Sequence, residues 1–564
     1  MLILFGWDFV SQRIWPPPKP AQTENKAPVA VEPLRQPRAG EAAKTPVPAP
    51  PRAAEKIPEP EPAKAPAVEG VTEVAKVEQP ASPLIPKLVP AVVEKSGLVM
   101  LGSAATGSAY DVAAVVDPVD AAIRSITLTK FFKTAKDKDQ PDREKLQLIQ
   151  PLDGRRSLAI SELAIWDKAH GTEPVEADIS GAVWEYAREG SSAWEAVFKL
   201  VLRQGEKDFL EIKKTFSVAP RKRMPDTEDE KTEDGRYEVS MQLRFRDLSG
   251  QIEHLQYALA GPAGLPREGV RSDLRHVVMG KWEKKVIVPS IAPAVQIAKS
   301  QETFVKKWRE ENPGRNWEEP LPAVDVDTGD IVWAGSDDKY FAVVVVPMAD
   351  KVDEFDDARI SVVTADTYPD MTPWGEGPAG QPYLLMRKSA FADARTNGVI
   401  ENSFLIFAGP KEESLLEKQY SRYNLPALII WSRGCCGAIP GIHHISKFMV
   451  GVINAFTLFT FNHGLSIILV VVLLRLVLHP ITRWSQKSMI KMQKLAPLIQ
   501  ELKASCGDDK RRLQQETMVL YKEHGVNPIG GCLPMVIQMP IWIGLYGGLM
   551  VAISLRQAPF LAWI

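Results

Sequence analysis

Two apolar runs near the C-terminus limit what this chain can become. The first reads Gly464-Leu-Ser-Ile-Ile-Leu-Val-Val-Val-Leu-Leu-Arg475-Leu-Val-Leu-His479-Pro480, and the second extends from Leu533 to Leu555. A helix needs about 20 mainly apolar residues to cross a bilayer, and both runs approach that length. A charge near the middle of such a helix costs about 2.5–3.5 kcal/mol on insertion scales. A helix keeps Arg475 only where the guanidinium has an escape or a use. The escape is snorkelling: His479 lies one turn on, and a long side chain can reach the cytoplasmic interface from there. The use is a polar cavity at membrane depth. The residues alone leave both readings open.

Charge sets the orientation. Between Arg483 and Gly525, nine Lys or Arg stand against five Asp or Glu, which places this segment on the cytoplasmic side by the positive-inside rule. The stretch from Trp431 to Asn462 holds only Arg433 and Lys447 and so falls outside, together with the β-rich region before it. That arrangement requires an earlier crossing. The chain opens Met1-Leu-Ile-Leu-Phe-Gly-Trp-Asp-Phe-Val10, too short to span and without a basic region ahead of it. It reads either as an interfacial anchor or as the end of a longer signal anchor. The required crossing favours the second, a clipped anchor over 1–15, retained because no small-residue cleavage site follows.

Residues 16–96 read as a linker. Nineteen of the chain's 46 prolines fall between Pro16 and Pro90, mixed with Ala, Glu, Lys and Val, and no aromatic residue follows Trp15 in that stretch. Such a composition buries too little surface to offset ordering entropy, and it predicts an extended, partly polyproline II spacer.

Residues 97–423 read as a large antiparallel β-sandwich with a C-terminal helix. Runs with period two recur, as in Asp111–Asp117, Tyr237–Phe245 and Tyr340–Val346. Ala196–Leu202 and Phe209–Phe216, on either side of Gln204-Gly-Glu, read as a hairpin. Few long helical periods intrude before a short amphipathic helix over Glu412–Tyr423. Chemistry is sparse. Gly102-Ser-Ala-Ala-Thr-Gly107-Ser108 lacks the lysine of a phosphate loop. Asp325-Val-Asp327-Thr-Gly-Asp330 lacks the later acidic ligands of a calcium loop and reads as a turn. His170, His254 and His276 are widely spaced. Cys435, Cys436, Cys506 and Cys532 have no metal-ligand spacing, and Cys435-Cys436 reads as two small residues in a loop. A net charge of −2 gives no basic excess toward nucleic acid. No catalytic residue, metal or cofactor is expected.

Beyond the sandwich, 424–461 reads as an interfacial segment on the outer face. His443-His444 within it makes a poor metal pair, since neighbouring side chains on a helix point about 100° apart. Residues 462–480 form the first span, with Pro480 where the helix should end or bend. Residues 481–526 form a cytoplasmic helical hairpin, broken at Gly507, capped by Asp508 and Asp509 and closed by Gly525. Its apolar positions, Met489, Met492, Leu495, Ile499 and Leu502 on one arm and Leu513, Met518 and Leu520 on the other, need only pair with each other. The second span occupies 527–556 and includes Pro534, Pro540, Gln538 and five small residues, and 557–564 opens an outer loop. Gln538 reads either as a helix–helix hydrogen bonder or as the wall of a polar cavity.

The run Asn527-Pro-Ile-Gly-Gly-Cys-Leu-Pro-Met-Val-Ile-Gln-Met-Pro-Ile-Trp-Ile-Gly-Leu-Tyr546, together with Leu555-Arg-Gln-Ala-Pro-Phe-Leu-Ala-Trp-Ile564, closely resembles the YidC/Oxa/Alb family of membrane protein insertases. So do Gly507-Asp-Asp-Lys510, Leu520-Tyr-Lys522, and the helix from Asn462 through Arg475 to Pro480. Weaker likenesses to the Gram-negative-type YidC with its large periplasmic domain lie at Asp338-Lys-Tyr-Phe-Ala-Val, Phe407-Ala-Gly-Pro-Lys411 and Leu4-Phe-Gly-Trp7. The resemblance implies a β-supersandwich outside the inner membrane and a helical core whose polar groove accepts nascent membrane proteins without covalent chemistry. It makes Arg475 the groove cation and Gln538 a groove-lining residue. It implies partners among Sec translocon components, the ribosome and targeting factors, acting within the lipid bilayer. The family core has five spanning helices, so the resemblance also leads us to expect an incomplete core here, continued beyond Ile564. The alternative is a membrane-tethered β-sandwich that binds glycan or peptide.

Overall fold

The computed structural model describes residues 88–560 except 135–142, 169–170, 172, 222–235, 269–274, 314–320, 349–359, 370–377, 392–397, 432–440, 508, 527–532 and 559. The chain divides into two compact units, Met1–Pro80 and Ala81–Ile564. The first lies outside the described residues, as do Cys435 and Cys436 and the anchor and most of the linker expected there.

Within the second unit a β-rich region precedes the helices. All its described strand pairings are antiparallel, with sixteen strands in one sheet and four in another. The strand Glu238–Asp247 alternates as the sequence predicts, with Val239, Met241, Leu243 and Phe245 turned inward. The expected hairpin forms between Glu195–Gln204 and Lys207–Ser217. Its two-residue turn uses Gly205 at φ +65°, where a side chain would be strained. The strand Phe341–Met348 departs from alternation: it is buried from Phe341 through Pro347, between Val324–Asp337 and Val399–Pro410. Both its faces are covered, so it needs no polar side. Val112, Ile126 and Leu148 from the small sheet and Leu200, Phe245 and Val344 from the large one enter one apolar core, as the expected sandwich packing requires.

Three local readings change. Val89 and Pro90, at the end of the expected linker, pair with Arg203 and Leu202 in the sheet, because Leu88 beside them is buried in the core. The expected turn at Asp325–Asp330 is part of the strand Val324–Asp337, whose pairing with Ile360–Pro369 is irregular at those residues. Asp327 pairs with Lys281 at 3.1 Å and Asp330 pairs with Arg387, so the carboxylates serve ion pairs there. An 18-residue helix, α1 (Ala294–Glu311), interrupts the strands. Its buried residues Ala294, Ile297, Gln301 and Val305 follow helical spacing, but Gln301 breaks the apolar pattern; its amide donates to Pro322 O at 2.8 Å.

Charged groups are buried in this region where the backbone can hold them. Asp337 takes His276 Nδ1 and Lys411 Nζ, both at 2.8 Å. Asp338 Oδ1 accepts the amides of Tyr340 and Phe341 at 2.7 and 2.6 Å, while its Oδ2 has no hydrogen-bond partner among the described residues. Burial, with Glu268 nearby, pushes Asp338 up to about 7, against the pull of Lys411. The folded protein therefore holds a proton that the unfolded chain releases near pH 4, so this group lowers stability as pH rises from about 4 to 7. Asp338→Asn keeps the Oδ1 acceptor and removes the titration. In thermal melts over that window its midpoint is expected to gain on the wild type as pH rises; a constant difference across the window would count against the buried titration.

Beyond the short helix α2 (Glu413–Gln419) come α3 (Ile442–Thr460), α4 (His463–Cys506), α5 (Lys510–Glu523) and α6 (Leu533–Val551). Three of them, α3, α4 and α6, are long and apolar enough to cross a membrane. The expected boundary at Pro480 is absent: α4 runs unbroken through Pro480 and Pro497. Proline there removes one backbone hydrogen bond, and the strong helical turns on either side carry the helix through. At 1.5 Å per residue α4 is about 66 Å long, roughly twice a bilayer's apolar thickness.

Candidate functional site

The three apolar helices meet at one small layer. Met449 and Ile453 of α3, Val470 of α4 and Leu545 of α6 are buried together, with Ile467, Val471, Leu474 and Leu549 against them. Above the layer, α3 turns into α4 through Phe461 and Asn462. Asn462 Oδ1 accepts Leu465 N at 3.0 Å and caps α4. Ser466, fully buried, donates to Asn462 O at 2.9 Å and lies 2.7 Å from Thr460 Oγ1 and 3.0 Å from Thr457 Oγ1. This hydroxyl cluster satisfies polar groups that would otherwise sit unpaired in an apolar setting.

Helix α6 meets α3, and Trp431 ahead of it, through glycine. A Cβ on Gly547 would lie 2.1 Å from Trp431 O, one on Gly544 2.5 Å from Ile445 Cγ2, and one on Gly548 2.7 Å from Val450 Cγ2. Small residues at this spacing let helix backbones approach where no hydrophobic drive separates protein from lipid. Gly547→Ala must displace backbone and is expected to cost about 1–3 kcal/mol. Gly451→Ala, whose Cβ would meet nothing within 4 Å, is the control and should be neutral or slightly stabilising. Melting temperatures of the two variants in detergent decide it; equal midpoints would mean the contact is not tight.

Arg475 and Gln538 lie just beyond the apolar layer, toward the hairpin. Arg475 is exposed on α4 and follows Val471 by one turn, at the flank of the buried stripe. Gln538 is half-buried on α6 and precedes Leu545 by two turns on the same stripe. Arg475 is about 7.5 Å along α4 from Val470, and Gln538 about 10.5 Å along α6 from Leu545. Each therefore lies between the layer and α5 along its own helix. Beyond them, Gly507 at φ +55° ends α4, and Asp509 caps α5 by accepting Arg511 N and Arg512 N, each at 3.1 Å. No residue of α5 is buried, while Leu495 and Cys506 of α4 are. The expected mutual pairing of the two apolar stripes is therefore partial: Met518 is half exposed. The rings of His443 and His444 lie 3.8 Å apart despite their offset on the helix. No group of three or more possible metal ligands occurs among the described residues.

Residues 455–564 match the family model of the 60Kd inner membrane protein. That match takes in the end of α3 and all of α4, α5 and α6, and some curated relatives align over longer stretches. The chain is 33% identical over 234 residues to the membrane protein insertase YidC of Geotalea daltonii, covering 42% of this chain and 39% of that protein. It is 32% identical over 251 residues to YidC of Agrobacterium fabrum, covering 44% and 37%. It is 46% identical over 118 residues to YidC of Oleidesulfovibrio alaskensis, covering 21% and 22%. The matched stretch spans at most about two fifths of these relatives' length. Among solved structures, a GalM/aldose epimerase homologue from C. elegans aligns over 56% of this chain and 99% of its own, at 10% identity and a TM-score of 0.28, a likeness that carries no argument about function. The glycine face of α6 is the part of this arrangement that a count of small residues does not reveal; the spacing Gly544, Gly547, Gly548 is its sequence signal.

Proposed function

We propose that the chain belongs to a membrane protein insertase of the bacterial inner membrane that lowers the barrier to moving polar segments across the bilayer, with no covalent step. The family match over 455–564 carries the reading. Helices α3, α4 and α6 lie in the bilayer plane or across it, the hairpin from 481 to 526 is cytoplasmic, and the β-sandwich is periplasmic. Arg475 and Gln538 line a polar groove. Desolvating a polar segment in hydrocarbon is the main obstacle to insertion; a wet groove shortens the apolar distance, and Arg475 attracts acidic residues of the segment in transit. From His463 to Trp484 the helix climbs about 32 Å, close to the apolar thickness of a bilayer, with exposed Leu465, Leu469, Val472, Leu473, Leu476 and Val477 between them. Arg475 then sits about 12 Å along the helix inside Arg483, deeper than a snorkelling side chain easily covers. Nascent membrane proteins are the substrates, with ribosomes, targeting factors and Sec components as partners.

The test is insertion of a short membrane protein with an acidic outer segment into liposomes carrying the whole protein, scored by protease protection. Insertion no faster than into protein-free liposomes would sink the reading. The second reading, a tethered binding module, is favoured by one observation: a polar cleft of about 140 Å³ in the sandwich, lined by Asp117, Arg124, Gln150, Asp153, Arg156 and Ser157. Its arginines already face its own carboxylates, with Arg124 3.5 Å and Arg156 3.8 Å from Asp117, which weakens it as a ligand site.

A further inference from the structure

The conspicuous motif Leu555-Arg-Gln-Ala-Pro-Phe has no part in the groove just described, yet the side chain of its arginine is largely buried. Its side chain is 5% exposed. Arg556 Nε donates to Glu268 Oε2 at 3.0 Å and Nη2 to Glu268 Oε1 at 2.7 Å, a two-pronged pairing across 288 residues of sequence. Nη2 also reaches Phe132 O at 3.0 Å, and the guanidinium carbon lies 5.1 Å from the centre of the Phe341 ring. Gln557, held at φ +56°, donates to Phe132 O at 3.0 Å and to Lys133 O at 3.3 Å. Trp431, Val551 and Ile553 pack against the apolar core of the sandwich. The end of α6 is therefore seated in the β region by an arginine fork, a second side chain and apolar contacts together.

We propose that Arg556 is a positioning residue: by locking the outer end of α6 to Glu268 and Phe132 of the sandwich, it sets the height and rotation of the helix that carries Gln538. This rests on the insertase reading of the groove. The sandwich then acts as a rigid collar, and the helix it holds is fixed at both its glycine face against α3 and its outer end. An arginine suits the task because a planar fork fixes orientation as well as distance, which a single point charge does not.

The experiment uses the whole protein in membranes, with spin labels at Glu206 on the exposed hairpin turn and at Tyr546 on the exposed face of α6. Arg556→Met keeps most of the side-chain volume and removes the fork; Arg556→Lys keeps the charge alone. Expected results are a narrow distance distribution in the wild type, a clearly broadened one in Arg556→Met, and an intermediate one in Arg556→Lys. Insertion should fall fivefold or more in Arg556→Met and recover partly in Arg556→Lys. Glu268→Gln breaks the same pair from the other side and should reproduce the broadening, which keeps the test open if Arg556→Met accumulates poorly. An unchanged distribution in both Arg556→Met and Glu268→Gln overturns the lock. Broadening with unchanged insertion overturns its positioning role. If the wild type does not insert at all, the insertase reading fails, and the distances still judge the lock by themselves.

Discussion

Arg475→Ala is expected to reduce insertion of an acidic-tailed substrate at least tenfold while leaving the protein in the membrane at normal levels. Tenfold corresponds to about 1.4 kcal/mol of lost stabilisation for the segment in transit, a modest figure for a charge acting in a half-hydrated cavity, where water screens less than in bulk. The substitution should not harm the helix. Removing an arginine from the span lowers its insertion cost by about 2.5–3.5 kcal/mol, so the variant is, if anything, a better membrane helix. This opposition separates the two readings of Arg475. A snorkelling anchor would be replaced by lysine or alanine with little effect on substrate. A groove cation would be partly replaced by lysine, and its loss would matter most for substrates whose outer segment is acidic. Parallel assays with an acidic and a neutral outer segment make the point: equal loss for both would leave the electrostatic role without support.

Lys214→Met is expected to destabilise the sandwich strongly. Lys214 is fully buried, and its Nζ donates to Leu158 O at 2.6 Å, Ala121 O at 3.0 Å and Asp120 O at 3.4 Å. All three carbonyls belong to residues in the left-handed region, at φ +61°, +40° and +61° for Asp120, Ala121 and Leu158. Such conformations cost about 1–3 kcal/mol each for non-glycine residues and persist only when the surroundings hold them. The ammonium joins these two turns through their carbonyls, beside backbone bonds such as Asp120 N to Ala182 O and Leu158 N to Ala260 O. Burial pushes it down to about 7, with Asp120 pulling the other way. Methionine fills the space but donates nothing, leaving three buried carbonyls without that partner. Hydrogen bonds to a charged group are worth about 1.5–3 kcal/mol, so a loss of at least about 3 kcal/mol is expected, read as a fall in the sandwich's unfolding midpoint in urea. Lys207→Met, at the exposed end of the same strand, should change it little. Parity between the two variants would show that the turns hold themselves.

Much of this architecture was legible from local pattern. The hairpin at Gly205, the alternation of Glu238–Asp247, the break at Gly507 and the cap at Asp509 all rest on contacts within a few residues, which is the range over which propensity and periodicity act. The burial of both faces of the strand Phe341–Met348, and helix α1, escape local pattern for the same reason. Whether a strand is covered on one face or two, or whether Gln301 can be buried, depends on what lies across the fold. Of the proposed site, Arg475 was visible because a charge in an apolar run is conspicuous in one dimension. The seat of Arg556 was not, since its partner is 288 residues away.

Lys214 marks the boundary well. Its place between Ile212 and Phe216 in an alternating strand points it inward, and that much the amino-acid order determines by itself. Sequence likewise determined that two runs were suited to membrane and that one of them carried a cation. Only the tertiary structure decided what those buried charges meet: three strained carbonyls for Lys214, a carboxylate and a backbone carbonyl for Arg556. The reason is that burial is dictated by hydrophobic pattern, which is local, whereas the satisfaction of a buried charge needs partners of fixed geometry, which distant segments supply.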